Sequence, residues 1–237
     1  MGLPNSYSTE LPVRCHDLLN LLLPVVLGDD KTASQHGGAL TTTLTLALAT
    51  PMLTLPIERI LKHLGGEEGY ADDRFMSEYL AKRIEIAVRD TKLCDHPIFA
   101  ELDWSFLQYV QPFNIAHGLP QDISDALNSE EAAEAAKELS FLTFLNCLRN
   151  GLSHGGIVYL NDQGETSYGE ASMLCFVSAR QDRAPTRCDK REGSCPTVIW
   201  RTRDLRLLRI SESNFRQFLG RWVGWLAQAE LTSILSE

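Results

Sequence analysis

The apolar pattern of this chain changes period once, at residues 154–157, and that switch limits the folds open to it. Before His154, apolar residues recur every three or four positions, as in Leu139, Leu142, Leu145 and Leu148. After it come GIVYL, MLCFVSA and TVIW, short runs rich in β-branched and aromatic residues, with the turn-like NDQG between the first two. A three-to-four period gathers side chains on one helix face, whereas a strand needs a period of two. The expected class is therefore mainly α within α+β, with a small antiparallel sheet and a closing helix. The 237 residues read as one domain: a helical region over 1–155, a β-rich basic insertion over 156–210 and the closing helix over 211–237.

Helices are expected over 15–27, 39–63, 74–90 and 129–150. Pro24, Pro51 and Pro56 should kink or break the first two, and Gly65 and Gly66 should close the second. Ser129 is a natural N-cap for the SEEAAEAAKE run, whose glutamates favour the positive end of a helix dipole. Gly151, Gly155 and Gly156 mark where that helix ends or loosens. In the closing helix, behind a Ser211 or Ser213 cap, Phe215, Phe218, Leu219, Trp222, Val223, Trp225 and Leu226 form an aromatic stripe that suits core or subunit contact better than a cofactor site.

With 44% hydrophobic and 22% charged residues the chain can bury enough apolar surface to fold. Its six cysteines are scattered, and Cys188 and Cys195 are spaced more widely than the usual zinc-ligand pairs, so free thiols in a reducing cytoplasm are expected. The N-terminus lacks the basic start and apolar run of a secretory signal. The stretch 32–57 has no formal charge, but its threonines, His36 and two prolines suit a buried helix rather than lipid, and no membrane association is expected. A net charge of −9 argues against indiscriminate coating of nucleic acid. Residues 180–209 are locally basic, with Arg180, Arg183, Arg187, Lys190, Arg191, Arg201, Arg203, Arg206 and Arg209. That segment is either a solvated strand face or a phosphate-tracking surface.

Reactive residue types meet a structural boundary at LRNGLSHGG. Cleavage of an RNA phosphodiester needs a proton acceptor for the ribose 2′-hydroxyl, a donor for the leaving oxygen and a cation for the charge on phosphorus oxygens. Arg149 and His154 supply those types, and Asn150 and Ser153 add hydrogen-bonding groups. Five residues apart on an ideal helix, Arg149 and His154 point in different directions, so they converge only if the turn bends back or two subunits share the site. His16, His36, His63 and His117 have no partner at metal-ligand or triad spacing, His96 before Pro97 reads as a turn residue, and no metal site or cofactor is expected. Arg89 and His96 show how easily a bare arginine-to-histidine spacing arises.

RNGLSHG resembles the arginine, polar residue, spacers and histidine signature of the HEPN superfamily (higher eukaryotes and prokaryotes nucleotide-binding). ALATPMLTLPIERI and RISESNFRQFLGRWVGWL look like a plasmid-borne, bacterial branch of it. The resemblance implies a helical bundle that dimerises with two motifs facing each other, and metal-independent RNA cleavage. Arg149 and His154 would be the catalytic pair, Asn150 the polar position after the arginine, and Ser153, Arg201 and Arg203 substrate contacts. It implies RNA, a second copy of the chain and an antitoxin protein as partners, in bacterial defence or stress response. The basic region over 157–210 exceeds a minimal HEPN unit. The alternatives are a non-catalytic module that binds a nucleotide or protein in the same groove, and a structural helical dimer.

Overall fold

The computed structural model describes residues 8–65, 85–184 and 199–228. The elements run α1 (Glu10–Leu27), α2 (Asp30–His36), α3 (Thr41–Leu64), α4 (85–89), β1 (Ser105–Tyr109), α5 (Gln121–Leu127), α6 (Glu130–Lys137), α7 (Phe141–His154), β2 (Ile157–Leu160), β3 (Met173–Ala184), β4 (Ile199–Ser211) and α8 (Glu212–Gln228). Most of the helix expected over 74–90, Gly66, and the cations Arg187, Lys190 and Arg191 with Cys188 and Cys195 lie outside the described residues.

The strands form one antiparallel sheet in the order β1-β4-β3-β2. The α+β class thus holds, but helices are layered on a sheet. Alternation along the central strands separates two apolar faces. Leu174 and Phe176 of β3 and Leu208 and Ile210 of β4 join the larger core with α3, α7 and α8. Cys175, Val177, Leu205 and Leu207 face the other way, against Ile123 and Leu127 of α5 and Val158 and Leu160 of β2.

Three expectations from the sequence are corrected. The helix over 129–150 is two helices, because the apolar spacing continues through Leu139 and Ser140 while the backbone does not. Ser140 is extended, its hydroxyl accepts from the Thr143 N–H at 3.2 Å, and Phe141 N–H and Leu93 N–H bond to Thr91 and Leu139 carbonyls at 2.9 and 3.0 Å. A pairing with residues 91–93, remote in sequence, outweighs local helix propensity there. The second correction is β1: SFLQY lies inside the region read as helical and becomes a strand by pairing along β4, with Phe106 opposite Leu208.

The third concerns the prolines: α1 and α3 run unbroken through Pro24, Pro51 and Pro56, so of the expected kink or break the break does not occur. Pro56 removes the N–H that would bond the Met52 carbonyl four residues back. The Trp222 indole N–H of α8 donates to that carbonyl instead, at 2.9 Å. The exchange stabilises an otherwise orphaned buried acceptor and locks α8 onto α3. By length and composition Thr41–Lys62 of α3 could cross a membrane. Here it packs against α1, α7 and α8, and Ala49, Met52, Leu53 and Ile57 are fully buried.

As expected, α8 is capped by Ser211, whose hydroxyl accepts from the Asn214 N–H at 3.3 Å, and its aromatic stripe is core. On α1, by contrast, Leu18, Leu21, Leu22, Val25 and Leu27 remain exposed.

Candidate active site

Helix α7 carries the whole Arg149–His154 motif as regular helix and stops one residue later. Gly155 adopts the left-handed conformation at φ 66°, where a side chain is disfavoured. The turn does not loosen at Gly151. At about 100° per residue, Arg149, Ser153, Asn146, Asn150 and His154 fall within an arc of about 140°. Phe141, Phe144, Leu145, Cys147, Leu148, Gly151 and Leu152 occupy the rest and are all buried. The motif is thus the polar strip of an amphipathic helix, with Arg149 at one edge and His154 at the other.

Two glycines set how closely that helix lies on the sheet. A Cβ at Gly151 would sit 2.9 Å from the Cβ of Phe176, and one at Gly156 would sit 2.4 Å from the Val177 carbonyl oxygen. The Gly156 carbonyl accepts from the Val177 N–H at 2.7 Å, so the chain leaves α7 already paired with β3.

This approach places Asn150 on β3. Its Nδ2 donates to Ser178 Oγ at 2.9 Å, and its Oδ1 accepts from Arg149 Nη1 at 2.7 Å. The Arg149 guanidinium is also held from α3, with Nε 2.7 Å from Glu58 Oε1. That contact is an ion pair rather than a directed hydrogen bond, since Nε lacks hydrogen-bond geometry to any partner. Arg149 is therefore fixed from two sides and stays part-exposed. Ser153 and His154 are exposed on the last turn, and among the described residues His154 has no hydrogen-bond partner.

Arg201 and Arg203 are not brought to this strip. They lie beyond a register shift between β3 and β4 at Arg180/Gln181, so the alternation of Leu205 and Leu207 does not carry to them, and among the described residues no hydrogen bond or ion pair joins either to the strip. Arg203 lies 3.9 Å from Asp182 and 3.7 Å from Asp204. Other members of the basic segment are also engaged: Arg180 is 3.6 Å from the buried Asp204, and Arg209 is itself buried. Arg180 and Arg203 are thus paired with Asp182 and Asp204, whereas Arg183 and Arg201 are exposed.

Sequence reasoning missed Glu58 and Ser178. A hydroxyl within the apolar run MLCFVSA was a usable signal, because Ser178 is 4% exposed on the face toward α7 and a buried hydroxyl needs a partner. Glu58 gave none, being one carboxylate among many until α3 and α7 pack. Among the described residues no three His, Cys, Asp or Glu side chains gather as a metal site. No family model matches the chain, and neither curated proteins nor solved structures include a match to it.

Proposed function

We propose that the protein is a metal-independent endoribonuclease of HEPN type, working as a homodimer in the cytoplasm. The observation that supports this reading best is the division of labour along α7: an arginine fixed by Glu58 and Asn150, and a free, exposed histidine at the opposite edge of the same polar strip.

In the proposed reaction, the ribose 2′-oxygen attacks the adjacent phosphorus and the bond to the 5′-oxygen breaks, leaving a 2′,3′-cyclic phosphate and a 5′-hydroxyl. One His154 takes the 2′-hydroxyl proton, and the His154 of a second copy returns a proton to the departing 5′-oxygen. Arg149 neutralises charge growing on the non-bridging oxygens, and Asn150 and Glu58 keep its guanidinium in place. A single chain carries one such histidine on a rigid helix end, so two proton-transfer roles call for two chains. Ser153 is the neutral contact nearest Arg149 in azimuth. In this reading Arg201 and Arg203 are further RNA contacts, joined to the strip by no hydrogen bond or ion pair among the described residues. Bacterial defence or stress response, with an antitoxin protein as inhibitor, is the setting in which such an enzyme fits.

The test is cleavage of a mixed RNA pool in excess EDTA, with product ends identified. Wild type should give cyclic-phosphate ends, and Arg149→Ala and His154→Ala should each lose on the order of 100-fold or more in rate. Glu58→Gln should reduce the rate by a smaller factor while leaving the fold intact. Folded, dimeric wild type that leaves RNA uncut would overturn catalysis; RNA binding that survives His154→Ala would then identify a binding module.

A further inference from the structure

Arg209 of β4 is a buried cation without a buried anion. It is 8% exposed, and its guanidinium donates to the Asn128 side-chain oxygen, to Ser105 Oγ at 3.2 Å and to the Leu127 carbonyl at 2.7 Å, all neutral acceptors. Its Nε has no hydrogen-bond partner, and among the described residues no carboxylate lies within ion-pair distance. Burial lowers its pKa from the ordinary arginine value, and Cys175 and Asp103, the latter beyond ion-pair distance, oppose the shift without cancelling it. Removing a cation from water without a counter-charge in contact is costly against the small margin by which a domain is stable.

Arg209 lines a cavity of about 680 Å³ between α6 and the segment 93–105. The volume lies within the range of about 300–1,000 Å³ typical of small-molecule sites. Its apolar walls include Phe99, Met173 and Ala133, together with the ring of Trp104. Trp104 is 5% exposed, and its indole N–H also lacks a hydrogen-bond partner. Neither unpaired nitrogen is open to the cavity, so it is the charge of the Arg209 guanidinium at the cavity wall, with no carboxylate in ion-pair contact, that calls for a negative ligand. The rim limits how negative: Glu101, Asp103 and Glu130 stand there against Lys137, which disfavours a multiply charged ligand. The rim is also a built feature. Glu101 holds a left-handed backbone at φ 61°, and Arg221 of α8 donates to the neighbouring Ala100 carbonyl.

We propose that this cavity binds a small organic monocarboxylate with an aromatic or aliphatic body, its carboxylate directed to the Arg209 guanidinium and its body against Phe99 and Met173. The site is separate from the α7 strip and does not depend on the ribonuclease reading.

The test is calorimetric titration of the full-length protein with 1-naphthoate and with its neutral counterpart 1-naphthylmethanol. Wild type should bind 1-naphthoate at least tenfold more tightly. Arg209→Met, which keeps much of the side-chain volume, should bind the two alike, and Ala133→Phe, which fills the cavity, should bind neither. If Arg209→Met fails to fold, the preference of wild type for 1-naphthoate over the alcohol and the loss of both by folded Ala133→Phe decide the question. Equal binding of the two probes by wild type, no binding of 1-naphthoate at millimolar concentration, or undiminished binding by folded Ala133→Phe would each overturn the proposal.

Discussion

Replacing Gly156 with alanine puts a methyl carbon 2.4 Å from the Val177 carbonyl oxygen. Close carbon–oxygen contacts normally open at about 3.3 Å, so the new atom is about 0.9 Å too near. The obstacle is backbone in the middle of a sheet and cannot rotate aside. Relief must come from separating the α7–β2 connection from β3, which breaks the 2.7 Å bond between the Gly156 carbonyl and the Val177 N–H. Overpacking of this kind costs about 1–3 kcal/mol, and the rigid neighbour places Gly156→Ala near the upper end, at about 3 kcal/mol. Gly151→Ala is a compromise. Alanine gains about 1 kcal/mol in helix propensity, but its Cβ meets the Phe176 Cβ at 2.9 Å, and the net loss should be about 1 kcal/mol. At Gly155 a Cβ meets nothing within 4 Å, and only the positive φ is penalised, at about 1 kcal/mol. Urea unfolding of the three variants, read as midpoint shifts at constant slope, measures the series. Gly156→Ala within 0.5 kcal/mol of wild type would refute the argument that these glycines exist to seat α7 on β3.

Other outcomes follow from titrating groups away from the motif. His96 is packed among Phe99, Phe141 and Trp225 rings, and burial lowers its pKa from the ordinary 6.5. Its Nδ1 also accepts from the Ile98 N–H at 3.4 Å, which needs that nitrogen unprotonated. Below the ordinary value the unfolded chain binds this proton more readily than the folded one, so stability should fall as pH drops from about 6.5 toward the depressed folded value. The loss between pH 7.5 and 5.5 should be smaller in His96→Phe, and an identical pH dependence would count against the assignment. Burial pushes the thiols of Cys147 and Cys175 up to about 11 and about 12. Alkylation of native protein at pH 7.5, located by peptide mass, should therefore spare both and label the exposed Cys94 faster, whereas in denaturant all three should react. Native labelling of Cys175 at the rate of Cys94 would contradict the burial described here.

The sequence by itself carried what local chemistry decides. The change of period at His154, the left-handed stop at Gly155, the Ser129 and Ser211 caps and the aromatic stripe of α8 all depend on side chains within a few residues of one another. The strip that holds Arg149, Asn150, Ser153 and His154 does not, because α7 runs on to His154 past the end near Asn150 that the sequence predicts. What the sequence could not show are choices between partners far apart in the chain. The break at Ser140 depends on residues 91–93, the passage of α3 through Pro56 on Trp222, the strand character of SFLQY on β4, and the posture of Arg149 on Glu58 and Ser178. Arg209 reads as one more surface cation in a basic segment, and only sheet pairing shows that it is buried beside a cavity. The physical reason is the same in each case: local preferences differ by about 1 kcal/mol or less per residue, while a buried donor, acceptor or charge left unpaired costs more than that. The tertiary packing therefore settles which of several locally acceptable conformations is kept.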